Sequence, residues 1–268
     1  MKIRGSGPSI RPGVLGRKFR GTALLGPGFL GARDTAAVEE MDRPDCDPDR
    51  LQRTYEQFGL VNRVVAGWHR LYRAEVRPQL AGSARATLLD VGCGGGDLAL
   101  MLARWAAQDG IPLQVTGIDP DPRAYRFAAD REPFPGVEFR QAGSADLRAE
   151  GRQYDVVISN HVLHHLTAPE LQSFLDDSVQ LARRLALHND LRRSAAAYVL
   201  FGAGALPLTG SYIRADGLTS IRRSYTVAEL GAVVPAGWSE EPHSPLHCLL
   251  SYRHDAYRQH DAYRQGHT

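Results

Sequence analysis

"LLDVGCGGGDLALML", residues 88–102, places four glycines within five positions, between two apolar stretches. Glycine is the poorest ordinary residue for a helix or strand interior, because fixing it costs the most backbone entropy. The expense makes sense where a backbone must turn tightly or let a ligand approach main-chain N–H groups. The apolar "ATLLDVG" before the glycines reads as a buried strand. "DLALMLARWAAQDG" after them reads as a helix closing on Gly110. The unit is therefore strand, glycine loop, helix.

The same alternation continues toward the carboxyl end. "LQVTGIDPD" predicts a second strand and "PRAYRFAADRE" a second helix. "VEFRQAGSADL" predicts a third strand and turn, and "YDVVISNHVLHHL" a fourth strand running into a loop. "APELQSFLDDSVQLARR" predicts a helix, "LALHNDL" a fifth strand and "RRSAAAYVLFGAGA" a further helix. "TVAELGAVV" adds one more helix and "HCLLSYR" a last strand. Strands alternating with helices imply βαβ units, hence a parallel sheet covered on both faces. The expected class is α/β: a Rossmann-like, doubly wound, mostly parallel sheet with an antiparallel last strand and an amino-terminal helical lid.

Toward the amino end, residues 48–80 carry apolar residues near helical spacing, with Gly59 and Gly67 as expected breaks and Pro78 as the expected end. Residues 41–83 are read as the lid, with Tyr55, Phe58, Asn62, Trp68 and Tyr72 on its apolar side. Residues 1–40 are rich in Gly, Pro and Arg, with Asp34 the first acid. They read as a disordered extension ahead of folded sequence that begins near Met41. An arginine-rich, acid-poor targeting peptide is the alternative, but no amphipathic face is evident. The domain proper is expected over 84–252. Residues 253–268 form a polar tail in which "HDAYRQ" occurs twice.

Length and composition narrow the class. The chain has 268 residues, 43% hydrophobic content and net charge +2, enough for a real core and no announcement of a nucleic-acid or membrane partner. Its three cysteines show no metal-ligand or disulfide spacing, which points to a reducing, cytoplasmic setting. No apolar run approaches the ~20 residues that span a bilayer. No feature assigns an oligomeric state.

The loop reads GxGxG, with Asp97 where a dinucleotide fingerprint would have its third glycine. Asp90 precedes it, a carboxylate poorly suited to a pyrophosphate and well suited to a cation. Asp119 ends the second strand about 20 residues on, the place of a ribose-binding acid. "LLDVGCGGGDLALML" followed by "VTGIDPDP" resembles motif I and the acidic ribose site of the class I S-adenosylmethionine-dependent methyltransferases. "QAGSADL" resembles their adenine-contacting segment, and "YDVVISNHVLHHL" their fourth strand and following loop. The resemblance spans roughly residues 84–200 in order.

It implies S-adenosyl-L-methionine as cofactor. Gly92, Gly94 and Gly96 would line its methionine part with Asp90 nearby, and Asp119 would hold the ribose hydroxyls. Pro120 and Asp121 would shape the adenine edge, bordered by Ala145 and Asp146. Asn160 and His161 would stand at the mouth, next to the methyl donor. Asp90 and Asp119 also have a plainer use as turn or capping acids.

A hydroxyl acceptor would be helped by a base, and histidine suits that task near neutral pH. His164 and His165 follow strand four. His188 ends strand five with Asp190 two positions on, on the same side of the strand. Each is a candidate catalytic base; packing or substrate shape is the plain alternative. Arg222 and Arg223 stand before a helix, either to meet a substrate carboxylate or as a solvated pair. No metal-ligand cluster is evident in the spacing, so metal-independent chemistry is expected.

The catalytic cysteine pair of cytosine methylation, the "NPPY" of amino-methylating nucleic-acid enzymes and a lysine-rich patch are all missing. The resemblance therefore favours a small-molecule acceptor and no nucleic acid, similar to bacterial quinone- and polyketide-tailoring enzymes. The expected acceptor is a hydroxyl of an aromatic or polyketide-like metabolite. An activated ring carbon, or a member of the fold that only binds ligand, are the alternatives.

Overall fold

The computed structural model describes residues 28–254, and every structural statement concerns those residues. Residues 1–27 of the expected extension, and the tail from 255 on, lie outside them. The amino-terminal helices are α1 (Pro48–Val64), α2 (Trp68–Leu71) and α3 (Arg77–Leu80). The strands are β1 (Ala86–Val91), β2 (Leu113–Asp119), β3 (Val137–Gln141), β4 (Tyr154–Asn160), β5 (Ala182–Leu191), β6 (Trp238–Pro242) and β7 (His247–Arg253). Helices α4 (Asp97–Gln108), α5 (Pro122–Ala129), α6 (Ser144–Ala149) and α7 (Ala168–Leu181) alternate with the first five strands. Helices α8 (Ala195–Gly204), α9 (Ile213–Arg223) and α10 (Val227–Val233) precede the last two.

The strands form one sheet in the order β3-β2-β1-β4-β5-β7-β6. β1 to β5 are parallel, and β7 runs antiparallel to both β5 and β6. The fold is the Rossmann-like doubly wound sheet that the sequence implied. Strand order reverses between β1 and β4, and at such a switch point a crevice opens beyond the carboxyl ends of the strands. One core packs α2, α3 and α4 on one face of the sheet, and a second packs α7 and α10 on the other. β1 and β4 are buried on both faces, as a parallel sheet between two helical layers requires.

Several local expectations change. Gly59 lies within α1 and breaks nothing, whereas Gly67 breaks the run with φ 68°. Asp47 caps α1 by accepting from the N–H groups of Asp49 and Arg50, with Pro48 in the first turn. Pro78 does not end the second helical stretch, which continues to Leu80 through a π-turn at Tyr72–Val76. Such a turn re-pairs the backbone where proline withholds its N–H. "ARR" at 182–184 belongs to β5 rather than to α7. β6 and α9 are additions. Residues 28–40, expected to be disordered, pack against α9 and the turn after β4, as detailed below. No helix of the described residues is long and apolar enough to cross a membrane.

Candidate active site

The glycine loop turns as its composition demands. Gly92 has φ 69° and Gly96 φ 73°, in the left-handed region that glycine occupies without penalty. A Cβ at Gly96 would come within 2.5 Å of the Phe139 ring, and one at Gly92 within 2.7 Å of Val162. The Gly94 N–H donates to Asp119 at 2.9 Å, and the other Asp119 oxygen accepts from Asp121 N–H. Asp119 thus ties the loop to the end of β2.

A cavity of about 410 Å³ opens beyond the strand ends. Asp90, Gly92, Gly94, Asp97, Asp119 and Pro120 line it, with Asp121 beside them. Asp90 and Asp97 are buried here and Asp119 is partly buried beside them. Burial pushes Asp90 well above the usual carboxylate range, and the neighbouring charges of Asp97 and Asp119 add to the shift. Its Oδ2 is buried without a hydrogen-bond partner. Burial also raises Asp97, against a hydrogen bond from Asn62 at 2.9 Å. It raises Asp119 too, against its two N–H donors. A cationic ligand would answer this accumulation of negative charge.

Asn160 ends β4 and His161 follows it, both on the same cavity. The Asn160 Oδ1 accepts from Trp68 Nε1 (2.8 Å) and Asn189 Nδ2 (3.0 Å), and its amide N–H donates to Asn62. This chain reaches Asp97 through Asn62, so the lid helices are wired to the glycine loop. Of the lid residues singled out by pattern, Tyr55, Phe58 and Asn62 line the cavity, while Trp68 is core and Tyr72 donates to Asp109. His161 adopts φ 60°, the one non-glycine residue with positive φ among the described residues. Its Nε2 stands 3.0 Å from that of His247, a cavity residue that nothing in the sequence marked except a polar start to the last strand. Burial lowers His161 to about 4 and His247 well below its ordinary range, so both are neutral.

The three candidate bases separate. His188 is fully buried, bonds Ser159 Oγ at 2.8 Å and lies between the Phe174 and Trp238 rings. It does not line the cavity, and burial lowers it to about 3. Asp190, two positions on in β5, serves another histidine. His164, in a 3-10 turn at Leu163–His165, places Nδ1 2.7 Å from Asp190, and the second Asp190 oxygen accepts the His164 N–H. Its Nε2 lies 3.3 Å from Glu39. Burial would lower His164, but the Asp190 and Glu39 carboxylates outweigh it and raise it to about 10. Burial likewise would raise Glu39 and Asp190, yet His164 holds each at about 2. His165 is one-third exposed, with Nδ1 3.4 Å from Asp42 and Nε2 3.8 Å from Glu39. Glu39, His164 and His165 offer donor atoms all within 4.8 Å of one another. The metal-independent expectation rested on local spacing, which cannot show a cluster assembled from distant segments.

Glu39 belongs to a strap, residues 28–47, that closes one side of the cavity. Arg33 sits 3.6 Å over the Tyr225 ring, and Arg222 pairs with Asp34 at 2.9 Å. Arg223 donates to the Ala37 carbonyl, and the Asp216 carboxylate accepts the N–H groups of Glu40 and Met41. Arg222 and Arg223 therefore fasten the strap and do not face a ligand. Ala145 and Asp146 also lie off the cavity lining, and Asp146 accepts the Gly143 N–H as the cap of α6. The remaining wall is apolar: Phe58, Val61, Leu191, Phe201 and Ile213. The Phe201 ring lies against Gly217, where a Cβ would come within 2.1 Å of it.

Residues 88–184 match the methyltransferase-domain family. A ubiquinone biosynthesis O-methyltransferase of Methylobacterium sp. (strain 4-46) is 30% identical over 224 residues, 81% of this chain and 84% of that relative. A 2-phytyl-1,4-naphtoquinone methyltransferase of Nostoc sp. is 30% identical over 123 residues, 44% of this chain and 52% of that relative, so the chain matches about half of it. Among solved structures, the plantazolicin methyltransferase BpumL in complex with a substrate analogue and SAH is similar in fold, with TM-score 0.53 and 13% identity over 76% of this chain and 97% of that one. The DszA carbon methyltransferase gives TM-score 0.51 and 19% identity over 81% and 61%.

Proposed function

Because the chain belongs to the class I S-adenosylmethionine-dependent methyltransferases, we propose that its cavity passes a methyl group from that donor to a hydroxyl of an aromatic or polyketide-like small molecule. The observation that carries the donor side is the carboxylate group Asp90, Asp97 and Asp119, the first two buried, around an open glycine loop. When bound, the donor supplies a methyl group activated by a positively charged sulfonium. Gly94 gives it backbone room, since the space beside it is clear, while Gly92 and Gly96 shape the turn against Val162 and Phe139, Gly96 lying off the cavity lining. Asp90 and Asp97 offer negative charge to its cationic centres, and Asp119 keeps lone pairs for the ribose. Asn160 and His161, fixed by the Trp68 and Asn189 bonds, hold the rim toward the acceptor.

The acceptor side is supported by the apolar wall facing the histidine cluster. Phe58, Val61, Phe201 and Ile213 would bury a ring and exclude water from the transfer, while His164 and His165 would address its hydroxyl. The ubiquinone and naphthoquinone names of the relatives agree with a ring of that kind. The three free cysteines support a cytoplasmic location.

The test is calorimetric titration of the parent and Asp90→Asn with S-adenosylmethionine and with its uncharged-sulfur product, NADH serving as control. Asp90→Asn is expected to weaken the charged donor by about tenfold or more, about 1.4 kcal/mol, and the product less. Equal loss for both would remove the charge argument, and binding of NADH instead would overturn the reading. A screen of phenolic and polyketide acceptors for methyl transfer follows.

A further inference from the structure

We propose that Glu39, His164 and His165 form a binding site for a divalent transition-metal cation inside the cavity. Three observations carry it. The first is the donor geometry. With bonds of about 2.0–2.2 Å, two tetrahedral ligands of a zinc-like ion lie about 3.4 Å apart. The Glu39 carboxylate is 3.3 Å from His164 Nε2 and 3.8 Å from His165 Nε2. The three donor atoms lie within 4.8 Å of one another, so a movement of up to about 1.4 Å brings them all onto one ion.

The second is that each prospective ligand already has a partner behind it. Asp190 takes the Nδ1 side of His164 at 2.7 Å, Asp42 faces Nδ1 of His165 at 3.4 Å, and Ser220 Oγ donates to Glu39 at 2.8 Å. Carboxylates behind the far nitrogen of an imidazole fix its tautomer and aim the near nitrogen, as in most histidine-ligated metal sites. A packing role for two adjacent histidines does not call for this arrangement.

The third is His164 Nε2 itself. It is buried, it borders the cavity, and it has no hydrogen bond of acceptable geometry, only the ion-pair contact with Glu39. Glu39 stands on its open side and Asp190 behind it, so a cation there would meet one carboxylate directly and be backed by the other.

Two imidazoles and one carboxylate favour zinc and its neighbours over magnesium or calcium. Three protein ligands leave at least one position open toward the cavity. This part rests on the methyl-transfer reading: an acceptor hydroxyl would take the open position, form a metal–oxygen bond and lose its proton to solvent. The oxygen becomes nucleophilic without a separate base. The acceptor class narrows to molecules with an ionisable ring hydroxyl that can also ligate a metal.

The experiment is equilibrium dialysis of the whole chain against Zn²⁺, without donor or acceptor, followed by Co²⁺ substitution read by visible absorption. One equivalent per chain is expected, with nitrogen and oxygen d–d bands and no thiolate charge-transfer band. Glu39→Gln and His165→Ala are expected to weaken it by about 10- to 100-fold, with circular dichroism confirming that both fold. Less than a tenth of an equivalent on the parent, equal binding by both variants, or a thiolate band marking the cysteines would each overturn the site. Titration of the same samples with S-adenosylmethionine separates the two readings. Donor binding without metal binding sinks the cation site alone, whereas loss of both sinks the methyl-transfer reading on which the acceptor's role depends.

Discussion

Asp119 holds two backbone N–H groups as well as facing the cavity, so its removal releases the glycine loop and a ligand contact together. Asp119→Ala is expected to weaken S-adenosylmethionine by about 1–3 kcal/mol, the scale of hydrogen bonds left unmade, as read by calorimetry; unchanged affinity would remove the assignment. Gly217 limits the apolar wall from the other direction. A methyl group there meets the Phe201 ring. Gly217→Ala is expected to push that ring into the acceptor space, raising KM for the acceptor while the donor Kd stays put. Equal change in both constants would show that the wall is shared. These residues differ in how legible they were. Asp90, Asp119 and the three glycines sit within two short motifs whose chemistry is local, so the sequence reveals them. Glu39 and His247 reach the cavity only through the fold, and no spacing rule ties either to "NHVLHHL". His188 misled because strand alternation gives the face of a side chain but not what covers it, here Phe174 and Trp238.

The strap is the element whose behaviour the chemistry depends on. It is tied down at many points, among them the Arg33–Tyr225 stack, the Asp34–Arg222 pair, the Arg223 bond to the Ala37 carbonyl, the Glu40 and Met41 bonds to Asp216 and the Ser220 bond to Glu39. Arg223→Ala is expected to speed proteolytic cleavage within residues 28–47 and to lower turnover, with donor affinity unchanged. A cleavage pattern like that of the parent would show the strap to be anchored elsewhere. Composition misread this element, because Gly, Pro and Arg describe a segment without its own periodicity, and packing against α9 supplies what periodicity lacks. β6 was missed for a related reason. "WSEEP" has one apolar residue and is exposed after Trp238, so only its pairing with β7 makes it a strand. The parallel core was legible because β1, β2, β4 and β5 are apolar runs punctuated by glycine, aspartate and loops, which no other arrangement of this length buries as well.

For the whole molecule, burial of neutral histidines sets the response to acid. His188 and His161 take protons only near pH 3 and 4 in the folded chain, and His247 lower than its ordinary range. Unfolded, each binds a proton near pH 6.5. The unfolded state therefore gains protons first as pH falls, and the stability present above about pH 6.5 is lost progressively toward pH 4. Asp216, raised to about 6 by burial, works in the opposite sense and keeps its proton in the folded chain. A difference measurement isolates the histidine. His188→Gln is expected to reduce the slope of unfolding free energy against pH by about 1.4 kcal/mol per unit between pH 4 and 6, while turnover at neutral pH stays near the parent's. A large loss of turnover at unchanged stability would return His188 to the reaction. The wall of the cavity is also divided along the chain. The carboxylates, the glycines and His161, His164 and His165 lie within residues 88–184, whereas Glu39, Phe58, Phe201, Gly217 and His247 come from the segments on either side. The flanking wall can therefore be exchanged by substitution at Phe58, Phe201 or Gly217 while the glycine loop keeps every residue of its own.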